Sequence, residues 1–576
     1  MRKRRKPAAR GGRYIFMFTL LFLSLCAVAG RLVYLQIIAA PAFAEQAEDQ
    51  RLRGITLSPH RGAIYDREGE PLAISMEART VYATPHSVAD PEGAAAALAK
   101  VLGGKSADYL EKLTKDANFV YIARKVDMDR AATLEALGLA GIGLHEDWRR
   151  VYPSGELACQ VLGFVGVDDE GLAGLEKQYD SLLAGEAGSV LAERDPQGRP
   201  IPGGVMERQE PVDGSSMLLS IDKDIQYEAQ VELAAAVKEW GAASGSVIVM
   251  DPRNGEVLAM ATVPGFNPNS YSDAEPAAHR NRPITDMYEP GSTAKSITAS
   301  AIIEEGLYGP DSVFNLPPKI EVGGRTIGES HPRPTVDWSL AEIVTYSSNV
   351  GAVKLGQALG PETLYQYLDR FGFTRATGVD FPGESPGSVP PIDTWSASSI
   401  GTIPFGQGIA VTPLQLARAM SAIANGGELV TPHFLVGLPE DPDTELAWPK
   451  ERIISEETSR EMCEILKRVV DDGTGGAAAV PGYAVAGKTG TAQKPRTDGR
   501  GYAQGKYVGS FVGFIPAEDP QVLIAVSLDE PSNAIYGGAV AGPTFSRIAE
   551  FAVSHLKIPP STAVSVDATA TAHVEP

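Results

Sequence analysis

Residues 482–494 read GYAVAGKTGTAQK, and the letters from Gly482 to Thr489 match the phosphate-loop pattern GxxxxGK[ST] in full. A phosphate loop must follow a buried strand and open a helix, which would make this region a nucleotide-binding α/β domain. Here the segment follows a Gly/Ala-rich run and Pro481 and continues into GTAQKPRTDGRG, which cannot be a helix. The competing reading is a strand that carries Lys488, Thr489, Gly490 and Thr491. We expect the strand, and no nucleotide.

The neighbouring runs agree with a strand. GSFVGFI (509–515) and QVLIAVSL (521–528) read as adjacent strands. Far upstream, GSVIVMDPRNGEVLAMATV (245–263) is two apolar runs around Asn254-Gly255, a hairpin signal. MLLSIDKDIQYEAQVELAAAVKEWG (217–241) before it reads as a strand and a long amphipathic helix. An antiparallel sheet whose first and last strands are far apart in sequence, with a helical middle, predicts an α+β domain.

At 576 residues the chain exceeds what one core can serve. Its net charge of −21 conceals an asymmetry, because residues 1–13 (MRKRRKPAARGGR) are basic throughout. The acidic remainder argues against nucleic acid. Residues 14–30 are uncharged, Arg31 can snorkel, and a second apolar run follows, so 14–37 predicts a single spanning helix. The basic tip then stays cytoplasmic and everything after about residue 40 is exported. The rival is a signal peptide cleaved at Ala42-Phe43-Ala44, but the apolar region is too long and too far from that site. Cys26, Cys159 and Cys463 form no metal-ligand pattern, and the eight histidines offer no zinc motif, so neither cofactor nor metal is expected. We expect Cys159 and Cys463 to be buried thiols.

The chemistry rests on three short patterns. Ser-x-x-Lys occurs at Ser220/Lys223, Ser292/Lys295 and Ser554/Lys557. Only Ser292 follows a Pro-Gly pair and opens an apolar helical pattern, Ser292 to Ile303, where i and i+3 share a face beside orphan N–H groups. An N-cap serine would explain the same local facts. Ser347 and Asn349 form the only Ser-x-Asn, inside the helical segment LAEIVTYSSNVGAVKLGQAL, where they could equally serve as helix breakers. Lys488-Thr489-Gly490 is the only Lys-Thr-Gly.

In order and spacing the trio resembles the active-site motifs of penicillin-binding proteins and serine β-lactamases. RGAIYDREGEPLA (61–73), RVYP (150–153) and GLAGLEKQYDSLLAG (171–185) further resemble the pedestal boxes of class B penicillin-binding proteins. EPGSTAK, YSSNVGAVKL, FGQGIAVTPLQLA and AGKTGTAQK are similar to that family's transpeptidase boxes, with Ala294 where the family often has a larger residue. The pedestal boxes read as structural. The resemblance implies a basic tip (1–13), an anchor helix (14–37), an elongated pedestal (38–214) and a transpeptidase domain (215–558). That domain would be an antiparallel sheet flanked by helices, and a disordered tail (559–576) would follow it.

It also implies a D,D-transpeptidase of the inner membrane, facing outward. Ser292 would be the nucleophile and Lys295 its base, with Lys488 a second cation holding Ser347, the proton relay. Asn349 would position Lys295 and bind the substrate's backbone. Thr489, Gly490 and Thr491 would receive the terminal carboxylate, and the N–H groups of Ser292 and Thr491 would form an oxyanion hole. Expected partners are peptidoglycan stem peptides (a D-Ala-D-Ala donor and an amine acceptor), β-lactams, a SEDS-family glycosyltransferase and other divisome membrane proteins. The boxes look most like the division branch. The alternatives are an elongation enzyme, a D,D-carboxypeptidase or β-lactam hydrolase, and a non-enzymatic β-lactam sensor.

Overall fold

The computed structural model describes residues 11–43, 52–193, 206–496, 498 and 501–561, which divide into two compact units. Met1–Pro59 and Gly185–Asp213 make the first. Its helix α1 (Gly11–Val33) runs into a π-helical turn, Tyr34–Ile38. Residues Gly12–Ile38 have a mean hydropathy of 2.1 and are, among the described residues, the one helix long and apolar enough to cross a membrane. Most of the basic tip (1–10) and part of the expected stem (44–51) lie outside the described residues. Strands Leu52–Leu57, Gly188–Glu193 and Met206–Gln209 of this unit pair antiparallel.

The second unit is His60–Ala184 with Gly214–Pro576. Residues 60–184, expected in the pedestal, therefore share a unit with the expected transpeptidase. The reason is packing. Ile64, Leu72 and Leu175 belong to the same buried cluster as Met217, Ile248 and Ile297. Met217–Leu219 pairs parallel with Ile64–Tyr65 and antiparallel with Leu435–Gly437, stitching the two stretches of chain through one sheet.

The three pedestal boxes meet at one carboxylate. Glu176 is fully buried and accepts from Arg61 Nε at 2.8 Å, Arg150 Nε at 2.7 Å and Tyr152 Oη at 3.2 Å. Arg150 also donates to the Gly62 carbonyl at 2.7 Å. A buried charge survives only when paired and hydrogen-bonded, so these distant boxes are tied to one another.

The sheet that positions the site contains, among the described residues, β1 (Ser244–Met250), β2 (Val257–Val263), β3 (Ala486–Pro495), β4 (Tyr502–Ile515) and β5 (Val522–Asp529). Its order is β2-β1-β5-β4-β3, all antiparallel, with β3 at one edge. The period of two sorts each strand between two cores. Val247, Val249, Ile524 and Val526 pack with α2 (Lys223–Trp240), whereas Ile248, Met250, Leu523 and Ala525 face the other way, toward α3 (Lys295–Glu304) and α4 (Pro413–Ala424). The terminal helix α5 (Gly542–His555) covers the α2 side.

Every residue of α4 is buried, and from Lys295 to Ile302 so is α3. A helix apolar all round belongs inside a core, not on it. The α4 N-terminus is closed by a capping box: Thr412 Oγ1 accepts from Gln415 N at 3.0 Å and Gln415 Oε1 accepts from Thr412 N at 2.9 Å. Cys159 is buried and Cys463 half-buried, and all three cysteines are free thiols. Of the tail, Ser561 is docked, accepting from Ala484 N at 3.1 Å and donating to Glu518 at 3.0 Å, and 562–576 lie outside the described residues.

Candidate active site

Ser292 sits one turn earlier than the helical pattern suggests. Gly291–Ala294 is a 3₁₀ turn, and the α-helix proper opens at Lys295. In a 3₁₀ turn residues i and i+3 eclipse, which brings Lys295 Nζ to 3.1 Å from Ser292 Oγ. The turn is braced from behind by the FGQGIAVTPLQLA segment. Gly291 N donates to the Gly406 carbonyl at 3.2 Å, and Gly406 has φ +82° with a hypothetical Cβ only 2.2 Å from Gly291 O. Only glycine fits there. Glu289 accepts from Gly408 N at 2.9 Å and from Tyr502 Oη at 3.0 Å, and burial holds its carboxyl above the usual range.

The segment expected as one helix is two, Leu340–Thr345 and Asn349–Leu359, with Ser347 in the break at φ +60°. That left-handed serine costs about 1–2 kcal/mol. It turns its carbonyl onto Lys295 Nζ at 2.6 Å and its hydroxyl to 3.1 Å from the same nitrogen. Asn349 Oδ1 accepts from Lys295 Nζ at 2.8 Å. Its Nδ2 donates one N–H to the Gly328 carbonyl at 3.1 Å, and the residue lines the cleft.

Lys488 lies on β3 in phase with Ala486, facing the core that holds Ile297. Its Nζ reaches Ser347 Oγ at 3.1 Å. The Thr489 hydroxyl meets that of Thr474 at 2.7 Å, and Thr491 Oγ1 accepts from Gly537 N at 3.0 Å. Gly490 passes under the Ser292 turn, where a Cβ would sit 3.1 Å from Thr293 Cγ2 and 3.2 Å from the Pro290 carbonyl. Ser292, Ser347, Asn349, Thr489 and Thr491 all line one cleft of about 620 Å3, whose rim includes Tyr346 and Tyr536.

Electrostatics divide the two lysines. Both are fully buried. The Lys295 amine is driven well below its ordinary 10.5, first by burial and then by the charge of Lys488, while Glu329 pulls the other way. Burial alone brings Lys488 down to about 7. Four oxygens surround Lys295 Nζ: Ser347 O and Asn349 Oδ1 accept from it, and the Ser292 and Ser347 hydroxyls each lie 3.1 Å away. A neutral amine there has two N–H groups for the carbonyl oxygens and one lone pair for a hydroxyl.

The remaining Ser-x-x-Lys pairs are apart from this cleft. Ser220 Oγ donates to Val257 O at 2.8 Å inside the core, and Ser554 closes α5. Two residues of the site were not anticipated. Thr474 lies in a Gly-rich run after the helix Glu456–Asp471, a weak signal for a loop at a cleft. Glu329 has no local signal at all, since its role appears only when 328–333 folds against 347–349.

Comparison with known proteins gives the family. Residues 245–550 match the penicillin binding protein transpeptidase domain, and residues 56–219 match the penicillin-binding protein dimerisation domain. The chain belongs to the class B penicillin-binding proteins. The chain is thus an acyltransferase of the serine type. It is 35% identical to the probable peptidoglycan D,D-transpeptidase PbpC of Pseudomonas aeruginosa over 96% of both chains. It is also 35% identical to the peptidoglycan D,D-transpeptidase FtsI of Escherichia coli, over 96% of this chain and 94% of that one. Among solved structures, penicillin binding protein 3 of Mycobacterium tuberculosis complexed with aztreonam is 31% identical with a TM-score of 0.69, covering 88% of this chain and 98% of that one.

Proposed function

We propose that this class B penicillin-binding protein cross-links peptidoglycan stem peptides through a serine acyl-enzyme formed on a D-Ala-D-Ala donor. The observation that carries the reading is the unbroken set of contacts from Ser292 through Lys295 and Ser347 to Lys488, each 3.1 Å long. Neutral Lys295 takes the Ser292 proton as Oγ attacks the carbonyl of the penultimate D-Ala. The new oxyanion lies against the N–H groups of Ser292 and Thr491. The proton passes through Ser347 to the leaving nitrogen, the peptide bond breaks and D-Ala departs. An amine from a second stem then attacks the ester, and its proton returns to Ser292 as the cross-link forms. Thr489 and Thr491 hold the donor's carboxylate. A β-lactam acylates the same serine in this reading, which the M. tuberculosis relative complexed with aztreonam supports.

The α1 helix anchors the enzyme in the cytoplasmic membrane with the catalytic unit outside, an orientation supported by the basic tip. By its boxes it serves division, alongside a SEDS-family glycosyltransferase and other divisome membrane proteins.

The test is incubation of the detergent-solubilised chain with a D-Ala-D-Ala stem peptide and an amine acceptor. Equimolar D-Ala and cross-linked dimer are expected. D-Ala released without dimer would make it a carboxypeptidase, and penicilloate released within seconds of β-lactam addition would make it a lactamase. Depletion in cells should give filaments, and rounded cells would assign it to elongation. Failure to copurify with a SEDS protein in mild detergent would remove that partner.

A further inference from the structure

Nothing in the three-motif reading gives a role to the segment 328–333, yet it holds the middle motif in place. Glu329 is the centre of that hold. Its side chain is only 8% exposed. Oε1 accepts from the Ser348 hydroxyl at 2.6 Å, Oε2 accepts from the Asn349 N–H at 2.7 Å, and Arg333 donates to Oε1. The adjacent Gly328 carbonyl takes the Asn349 side-chain amide at 3.1 Å. Apart from the Arg333 ion pair, each of these bonds lands on Ser348 or Asn349, the two residues that follow Ser347.

Ser347 itself is the residue that needs holding. Its left-handed backbone is an unfavourable state for a serine and persists only if the surroundings over-determine it. Without that conformation the Ser347 carbonyl and hydroxyl would not both face Lys295. Among the described residues Glu329 is also the carboxylate that acts on Lys295, opposing Lys488 on β3, and Arg333 on its own segment is its ion partner. Ser330 and His331, next in the chain, line the cleft.

We propose that Glu329 is a positioning residue for acylation, latching Ser348 and Asn349 so that Ser347 bridges the two lysines and setting a negative charge against that of Lys488 at Lys295. This rests on Ser292 being the nucleophile acted on by Lys295.

The test compares Glu329→Gln and Glu329→Asp with the full-length parent in detergent. The readout is the second-order rate of acylation by a fluorescent penicillin from about pH 5 to pH 10. Glu329→Gln removes the charge and replaces an acceptor oxygen with a donor. Its plateau rate should fall about tenfold to a hundredfold, the usual result of misplacing a reacting group. Its acidic limb should also move to lower pH, because a carboxylate that raised the Lys295 pKa is gone. Glu329→Asp keeps the charge, so its plateau falls while the limb stays. A Glu329→Gln rate within threefold of the parent overturns the proposal, and so does a slow variant whose limb does not move or moves to higher pH, which would leave only a scaffold. If Glu329→Gln does not melt cooperatively, Glu329→Asp decides alone, and parental behaviour there overturns the latch. Failure of the parent itself to acylate would defeat the nucleophile assignment instead.

Discussion

Lys295 and Lys488, from a helix and a strand 193 positions apart in the chain, bring their nitrogens to the same oxygen, Ser347 Oγ, at 3.1 Å each. Two ammonium groups cannot share one buried hydroxyl without mutual repulsion, and the charge of Lys488 adds to burial in lowering the Lys295 pKa, whereas burial alone lowers that of Lys488. In the proposed reaction Lys295 supplies the lone pair and Lys488 the second cation.

The first prediction follows from that division of labour. Acylation should rise with pH as Lys295 loses its proton, on a limb well below the ordinary lysine range. Lys488→Met removes the cation that depresses Lys295, so its residual activity should show that limb shifted to higher pH. Measuring acylation rate against pH for both proteins checks the sign; an unshifted limb would mean the two charges do not interact.

The same lysine makes a stability prediction. The folded Lys488 titrates at about 7, whereas an unfolded lysine titrates near 10.4. Between those values the unfolded chain binds more protons, so the lysine's penalty is full below about pH 7 and fades as pH rises. Lys488→Met should therefore melt above the parent at pH 7, with the gap closing by about 1.4 kcal/mol per pH unit toward pH 10. Thermal melts across that range test it.

Ser292→Ala should abolish labelling by a fluorescent penicillin. Ser220→Ala and Ser554→Ala should label normally, Ser220→Ala at a stability cost of about 1 kcal/mol for its lost core hydrogen bond. Gel fluorescence of the three variants settles which of the three serine–lysine pairs reacts.

Gly406→Ala tests the brace behind the nucleophile. The added methyl would overlap the Gly291 carbonyl and occupy a left-handed backbone position. Acylation should slow about tenfold or more, since the turn carrying Ser292 must shift. Gly69→Ala, also left-handed but with open space around it, controls for backbone strain alone and should acylate at the parental rate.

Glu176→Gln should leave two buried arginines without their shared charge partner and destabilise the chain by about 3–5 kcal/mol. The acylation rate of the folded fraction should be unchanged. A lower denaturant midpoint with an intact rate would make the pedestal boxes structural, as their sequence suggests.

What the sequence displays and what it hides follow from range. The main strands are legible because Val247 to Met250 and Leu523 to Val526 carry dense β-branched and apolar runs, and the 254–255 Asn-Gly marks the turn from the first of these into Val257–Val263. The three motifs are legible because each is local. The break at Ser347 is not, since the apolar periodicity of LAEIVT and NVGAVKL continues across it and only contacts from Lys295 and Glu329 make the left-handed residue tolerable. The unit boundary is hidden for a similar reason: Met217–Leu219 reads as the first strand of a new domain, and nothing local reveals that it pairs with Ile64–Tyr65. Glu329 looks like any loop acid until the chain brings Asn349 beside it.

One feature reaches beyond catalysis. Among the described residues β3 is bonded on one flank only, and across the other lies the Ser292 turn rather than another strand. Such a flank ordinarily invites identical molecules to stitch together into aggregates. Here the turn packs directly against that flank, a Cβ on Gly490 meeting Thr293 Cγ2 at 3.1 Å and one on Gly291 meeting Thr491 O at 3.2 Å, so another copy's strand has no room to pair there. The wall that frames the reactive serine thereby doubles as a guard on the sheet's exposed border.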